Sequence, residues 1–281
     1  MKRYLAALGM MITAAGGLAQ SAPPGSGALA GPGKATLGDV SELMVARGFS
    51  FLDGDQTRAM LRRAGDPVSG QELGFLRPDT GGWAVYFEFD DIGYIKDAEK
   101  EKLDADKLLD SFKQGTAAAN EDRVAAGFPP IEIIGWDKEP VYDAATQNLE
   151  WCLRARSDGQ EFVNYNTRLL GRKGVMEVVL VVDPKDLNKV MPEFREVIAQ
   201  HQFQTGQSYA EYKPGDKIAK YGLGALILGG AAVGAAKLGL LGSVLLFFKK
   251  AWKLFIIGLV AFAGAAKSLL SKIFGGRSST G

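Results

Sequence analysis

The sequence predicts an α+β domain, mainly antiparallel sheet with two or three packed helices, followed by a C-terminal transmembrane helical region. Two observations lead to that expectation. Between about residues 36 and 216, short runs rich in Val, Ile, Phe, Tyr and Trp follow one another across Gly-, Asp- or Pro-bearing turns, and only a few segments have helical period. From Lys217 onward Asp and Glu vanish, while Lys217, Lys220, Lys237, Lys249, Lys250, Lys253, Lys267, Lys272 and Arg277 punctuate long apolar runs. The lysines of a soluble helix are interleaved with acids; these are not.

The chain divides accordingly. Lys2 and Arg3 precede an apolar stretch from Tyr4, and Gly17-Leu18-Ala19 supplies small residues for cleavage, so residues 1–19 read as a secretory signal peptide. Residues 20–34, dense in Pro, Gly, Ser and Ala, read as a flexible linker. Residues 35–216 form the exported domain, 217–275 the membrane anchor and 276–281 a tail. Within the anchor, spans are expected at about 218–236 and 251–270. A single span through Lys237 would bury that ammonium at a cost of about 2.5–3.5 kcal/mol, which favours a break there. Two crossings make a helical hairpin with the C-terminus outside; the rival is one crossing followed by a basic helix on the cytoplasmic leaflet.

Each element of the domain has its own signal. Ser41 to Leu52 is extended with a turn at Arg47-Gly48, and Asp53 is an N-cap for a helix from Gln56 to Ala64. Leu73 to Arg77 and Trp83 to Asp90 are strands joined by Pro78-Asp79-Thr80-Gly81-Gly82. In the second, Trp83, Val85, Phe87 and Phe89 face the core, and Tyr86, Glu88 and Asp90 face away. Asp104 caps a long helix with an apolar stripe of Leu108, Leu109, Phe112, Ala119 and Val124, stopped by Gly127 and Pro129-Pro130. Ile131 to Trp136, Pro140 to Asp143, Asn148 to Arg156, Glu161 to Leu170 and Val175 to Val182 then form an antiparallel meander. A helix from Lys185 to Gln200 places Leu187, Val190, Met191, Phe194, Val197 and Ile198 on one side, and a short strand at Phe203 closes the sheet.

Composition excludes several function classes. Cys152 and His201 are each the one residue of their type, so the domain has no internal disulfide, and a Ser-His-Asp triad or ordinary zinc site finds no second partner beside His201. Cys152 lies in an alternating strand and reads as a packed thiol. Of 33 basic residues two lie in the signal peptide and nine in the tail, against 32 acids all in the middle. The exported part is therefore net acidic by ten, which argues against nucleic acid as a partner. Asp90-Asp91 with Asp97 and Glu99 lacks the spacing of a calcium loop, and Asp104, Asp106 and Asp110 suit a helix start. No metal or other cofactor is expected.

The hairpin around Ser157-Asp158-Gly159 gives the sharpest candidate site. Leu149, Trp151, Leu153 and Ala155 make one apolar face, and Val163, Tyr165, Thr167 and Leu169 another. An odd-numbered loop aligns these faces, whereas a two-residue loop sets Trp151 against Asn166, so the pattern favours the odd loop. Glu150, Arg154, Asn164, Asn166 and Arg168 then gather on the opposite face, with Glu150 within reach of Arg168. That face is either a polar, anion-binding patch or the solvated side of a sheet.

Four segments carry a resemblance: Phe89 to Asp97 (FDDIGYIKD); Gly135-Trp136 with Tyr142 to Thr146 and Leu149 to Trp151; Val163 to Arg172 (VNYNTRLLGR); and Tyr209 to Lys217 (YAEYKPGDK). Together they resemble a bacterial family of uncharacterised membrane-anchored proteins, over nearly the whole mature chain. The resemblance implies an exported domain tethered by a C-terminal membrane segment at the bacterial inner membrane, the domain lying in the periplasm, and carries over no catalytic residue. The expected partners are membrane lipid and either an envelope protein or a second copy, met through the Gly-rich tail at Gly222, Gly224, Gly229, Gly230 and Gly234. The expected role is a binding or scaffold module; the alternative is a periplasmic enzyme acting through the face around Asn164, Asn166 and Arg168.

Overall fold

The computed structural model describes residues 27–229, apart from 65, 67 and 126. The described chain is α+β and mainly antiparallel. Eleven strands form two sheets: β1 (Leu29–Ala30), β2 (Gly33–Leu37), β3 (Ser41–Val45), β4 (Phe49–Asp53), β5 (Glu72–Pro78), β6 (Trp83–Asp90), β7 (Ile131–Asp143), β8 (Asn148–Ser157), β9 (Gln160–Leu170), β10 (Val175–Val182) and β11 (His201–Phe203). The helices are α1 (Gly54–Ala64), α2 (Ala105–Ala125), α3 (Leu187–Ala199) and the short α4 (Leu223–Ile227). The large sheet runs β1-β4-β5-β6-β10-β9-β8-β7, and the small one β11-β3-β2.

One face of the large sheet builds the main core. Phe51, Leu76, Val85, Phe87, Tyr165, Val178 and Leu180 meet Leu37, Leu43 and Val45 of the small sheet, and Val190, Phe194 and Val197 of α3. The other face is covered from both ends. Met60 packs against the cluster of Leu52, Phe75 and Ala84 on the α1 side, while Leu109 and Phe112 of α2 pack against Ile131, Ile133, Leu153 and Ala155. Expected caps are present: the Asp53 carboxylate accepts from the Gln56 amide (2.9 Å) while the Gln56 side chain accepts from the Asp53 amide (3.0 Å), which is a reciprocal cap. Asp104 accepts from the Lys107 amide (3.0 Å).

Several expectations need correction. The supposed linker enters the fold, since Leu29 and Ala30 pair with Phe51 and Ser50, and Gly33 and Lys34 pair with Val45 and Met44. Tertiary pairing outweighs a composition that cannot make a core alone. Ile131 to Asp143 is one strand with three irregularities, not two strands. Pro140 falls in the irregularity between Lys138 and Val141 of this edge strand, where sheets tolerate proline. Val124 is 56% exposed and outside the α2 stripe. The strand at Phe203 pairs with β3 in the small sheet and does not close the large one.

The start of the expected first span also belongs to the domain. Ile218 bridges Tyr94, the Tyr94 amide donates to the Lys217 carbonyl (2.7 Å), and the Ala219 amide donates back to the Tyr94 carbonyl (2.8 Å). A side chain at Gly93 would lie 2.5 Å from the Lys217 carbonyl oxygen, so this close approach requires glycine. Leu223, Leu226 and Ile227 are 0%, 4% and 3% exposed, in one cluster with Ile95, Leu149, Trp151, Leu170 and Val175. Residues 218–229 are thus a strap over the large sheet. Apolar runs are read alike whether lipid or protein covers them, which is why sequence placed the span here. No described helix is long and apolar enough to cross a membrane. The rest of 218–236, the span at 251–270, the tail and the signal peptide lie outside the described residues.

Candidate functional site

The β8–β9 hairpin decides which candidate residues meet. Ser157 pairs with Gln160, so the loop is the two residues Asp158 and Gly159, and Trp151 stands opposite Asn166. Both loop residues have positive φ, 50° and 73°, the geometry of a tight hairpin turn whose twist matches its strands. The odd-loop register is therefore corrected, and the five expected site residues divide between two faces.

Glu150 and Arg154 lie on the small-sheet side. Glu150 pairs with the Lys138 ammonium and accepts from the Tyr165 hydroxyl (2.7 Å). Arg154 holds both oxygens of Asp137 (2.8 Å each) and one of Glu161 (3.0 Å). Glu150 is not near Arg168. Burial, then the Glu150 carboxylate, pushes the Tyr165 phenol above its ordinary range, so this trio holds a neutral tyrosine and not a nucleophile. Beside it Cys152 is buried and its thiol is pushed up to about 12, burial being the main cause. A thiol held neutral is a packed one.

Asn164, Asn166 and Arg168 lie on the opposite face, together with Trp151. All three are buried. Asn166 donates its amide to the Asn164 carbonyl (3.1 Å). The Arg168 guanidinium lies 4.9 Å from the Trp151 ring centroid and pairs with Glu177 at 3.0 Å. Its Nε is buried with no hydrogen-bond partner.

Following the register outward from Arg168 reveals residues that sequence reasoning missed. Arg168 faces Glu177, Glu177 faces Glu88, and Glu88 faces Glu72, each directly across a strand pair. Side chains so placed stand about 4.5–5.5 Å apart at Cβ. Glu72 joins the row only because a bulge between Glu72 and Gly74 shifts the register, turning its side chain to the face of Phe75. Glu72 then accepts from the Ser69 amide (2.5 Å) and the Gly70 amide (2.8 Å). Glu88 receives the Ser69 hydroxyl at 3.4 Å. Burial pushes the Glu88 carboxyl up to about 8, the Glu177 and Glu72 carboxylates adding to the rise, with Arg168 and Ser69 opposing it. The available signal was the pairing of an acid-bearing face on β6 with Glu177 on β10.

Other reactive types are placed as structural. His201 is pulled down to about 4 by burial and meets Phe203 edge-on at 4.9 Å. Among the described residues no group of three or more His, Cys, Asp or Glu side chains is arranged to hold a metal ion. A shallow groove of about 520 Å³ lies between α2 and the hairpin, bordered by Lys113, Asn120, Glu132, Arg156 and Asp158. None of the residues bordering it belongs to the carboxylate row.

Fold and face together define an antiparallel α+β domain whose covered sheet face carries an acid–arginine–amide strip. The chain belongs to the DUF2167 family of proteins of unknown function, whose model matches residues 29–260. Comparison with curated proteins gives no match. Among solved structures the chain is similar to cyanobacterial PsbP (CyanoP) from Synechocystis sp. PCC 6803, determined in solution, at 13% identity and a TM-score of 0.38, over 66% of this chain and 99% of that one.

Proposed function

We propose that this chain is an exported binding or scaffold module of the bacterial cell envelope, held at the inner membrane by its basic apolar tail. Its recognition site is the strip of Asn164, Asn166 and Arg168, which lie buried, and a ligand meets that strip at Glu177, whose side chain is 25% exposed, with Glu88 beside it. The observation that carries the reading is this strip: Asn164, Asn166, Arg168, Glu177, Glu88 and Glu72 stand together on a sheet face that also carries Trp151, Leu153 and Phe75. Fixed amides and a guanidinium held on an indole are suited to recognising polar groups without moving. Export is supported by the charged, apolar and small order of residues 1–19, and anchorage by the acid-free sequence beyond residue 229, which carries seven cations among apolar runs.

The test has two arms. A reporter active only in the periplasm, fused after Gly229, is expected to be active; activity of a cytoplasmic reporter there overturns export. A cysteine at Ser279, in a Cys152→Ala background, reports the tail: labelling by an impermeant reagent in intact cells supports two crossings, and labelling only after lysis supports one. Capture of partners from membranes should weaken in Asn166→Ala at unchanged expression. Identical capture by that variant removes the strip from recognition.

A second reading, an enzyme acting through the same face, draws on the raised Glu88 carboxyl, because general acids are tuned toward neutral pH. It predicts turnover lost in Glu88→Gln with binding retained, the reverse of the binding module.

A further inference from the structure

We propose that Glu88 is a proton-operated latch: while its carboxyl is protonated the row Glu72–Glu88–Glu177–Arg168 stays closed, and when it ionises the loop at Ser69–Gln71 loosens from the sheet. The inference holds whether or not the face recognises a partner.

Geometry assigns the proton. Three carboxylates stand in consecutive cross-strand positions with one cation, Arg168, at the end of the row. Two of the three already have strong donors of their own. Glu72 takes two backbone amides, from Ser69 and Gly70, and Glu177 takes the Arg168 guanidinium at 3.0 Å. Glu88 lies between them with the Ser69 hydroxyl at 3.4 Å. Like charges directly opposite one another are unfavourable, and more so when buried. The middle carboxyl therefore holds the proton, in keeping with its rise to about 8.

The surrounding charges do not reverse that assignment. On β6, Asp90 adds another carboxylate on the same face, accepting from the Gln71 side chain at 3.1 Å. From α1, Arg58 is engaged by the Glu72 carbonyl (2.6 Å) and by Asp55 (2.6 Å). Asp66, after α1, acts on Tyr86, which burial already raises. On β5, Arg77 follows Phe75 on this face and faces Ser50 of β4. Arg168 on β9 opposes the rise without cancelling it.

The loop is where ionisation is felt. Ser69 donates its amide to Glu72 and its hydroxyl to Glu88, accepts from the Gln71 amide at 3.0 Å, and Gln71 reaches Phe89 and Asp90. The Ser69 hydroxyl contact itself favours an ionised Glu88, but burial and the carboxylates on either side outweigh it, so an ionised Glu88 gains water only if the loop reaching over it gives way. The folded state binds a proton that the unfolded chain releases near 4.5, so its stabilisation is complete below that pH and is lost as pH rises through about 8.

The test uses the full-length chain in detergent micelles. Infrared difference spectra should show a protonated carboxyl band that disappears with a midpoint near pH 8, and Glu88→Gln should lack it. Exchange of the Ser69 and Gly70 amides should accelerate above the same midpoint in the wild type and become pH-independent, apart from intrinsic exchange, in Glu88→Gln. Glu177→Gln, which removes one opposing charge, should move the midpoint down. A band that titrates near 4.5, or persists in Glu88→Gln, overturns the assignment. Loop amides that ignore the titration overturn the latch. Should Glu88→Gln fail to fold, the wild-type titration and the Glu177→Gln shift decide between the same outcomes.

Discussion

Replacing Leu226 by alanine tests whether residues 218–229 belong to the domain. Leu226 is 4% exposed and shares a buried cluster with Leu149, Trp151, Leu170 and Val175. Truncating a buried leucine costs about 2–5 kcal/mol, depending on how far the site collapses. Here the sheet beneath is rigid, but the strap above is a five-residue helix at the end of the described chain, and it can settle inward. That places the expected cost near the middle, about 3 kcal/mol. Set against a total stability of about 5–15 kcal/mol, such a loss is large. With a urea dependence of about 1–3 kcal/mol per molar, it lowers the unfolding midpoint by roughly 1 M or more. Equilibrium unfolding of the full-length chain, followed by tryptophan fluorescence, measures it, with Trp151 in the affected cluster as an internal probe. Ile218→Ala is the control: at 37% exposure it should change stability by less than about 1 kcal/mol. A change within about 0.5 kcal/mol for Leu226→Ala would mean that the strap adds nothing and that the apolar run belongs to lipid from residue 218 onward.

Three further outcomes follow from single residues. Gly159→Ala should destabilise by about 1–2 kcal/mol through left-handed backbone strain alone, because open space surrounds the position where a Cβ would stand; thermal unfolding beside wild type measures it, and an unchanged midpoint denies the two-residue turn. Arg168→Ala should cost about 3 kcal/mol, the low end for a broken buried pair because Glu177 keeps a quarter of its side chain exposed; urea unfolding distinguishes this from a neutral surface change. Arg172 holds both oxygens of Asp216 (2.7 and 2.8 Å), which keeps that carboxyl low, at about 2. The folded value lies below the unfolded one, so this clamp contributes above the ordinary carboxylate range and is lost as pH falls toward 2. Arg172→Gln should remove that acid-side dependence, read as the difference in unfolding midpoint between neutral and acid pH.

From Ser41 to Phe203 most strands and helices, their order and the main core face were legible because each leaves a local mark, whereas β1, β2 and the unity of β7 were not. Trp83, Val85 and Phe87 alternate, Asp53 and Asp104 precede helical periods, and Phe194 recurs with Val190 and Val197. Cys152 was read as packed from its strand context, and burial of its side chain agrees. Register was not legible. Alternation specifies register where one face is polar and solvated, but both faces of β8 and β9 are covered, so Leu153 and Asn164 can share a buried face. The two-residue turn, not the apolar pattern, set the pairing. Glu72 was hidden for a related reason, since a one-residue bulge reverses the side on which every residue before it points. The strap was hidden because apolarity says that a segment leaves water, and not what covers it. What this sequence determined by itself is therefore what neighbours along the chain can specify: elements, caps, charge segregation and the scarcity of histidine and cysteine. Tertiary structure alone decided which side chains meet, because the row from Glu72 to Arg168 draws one residue from each of four strands, and only pairing between distant strands places them opposite one another.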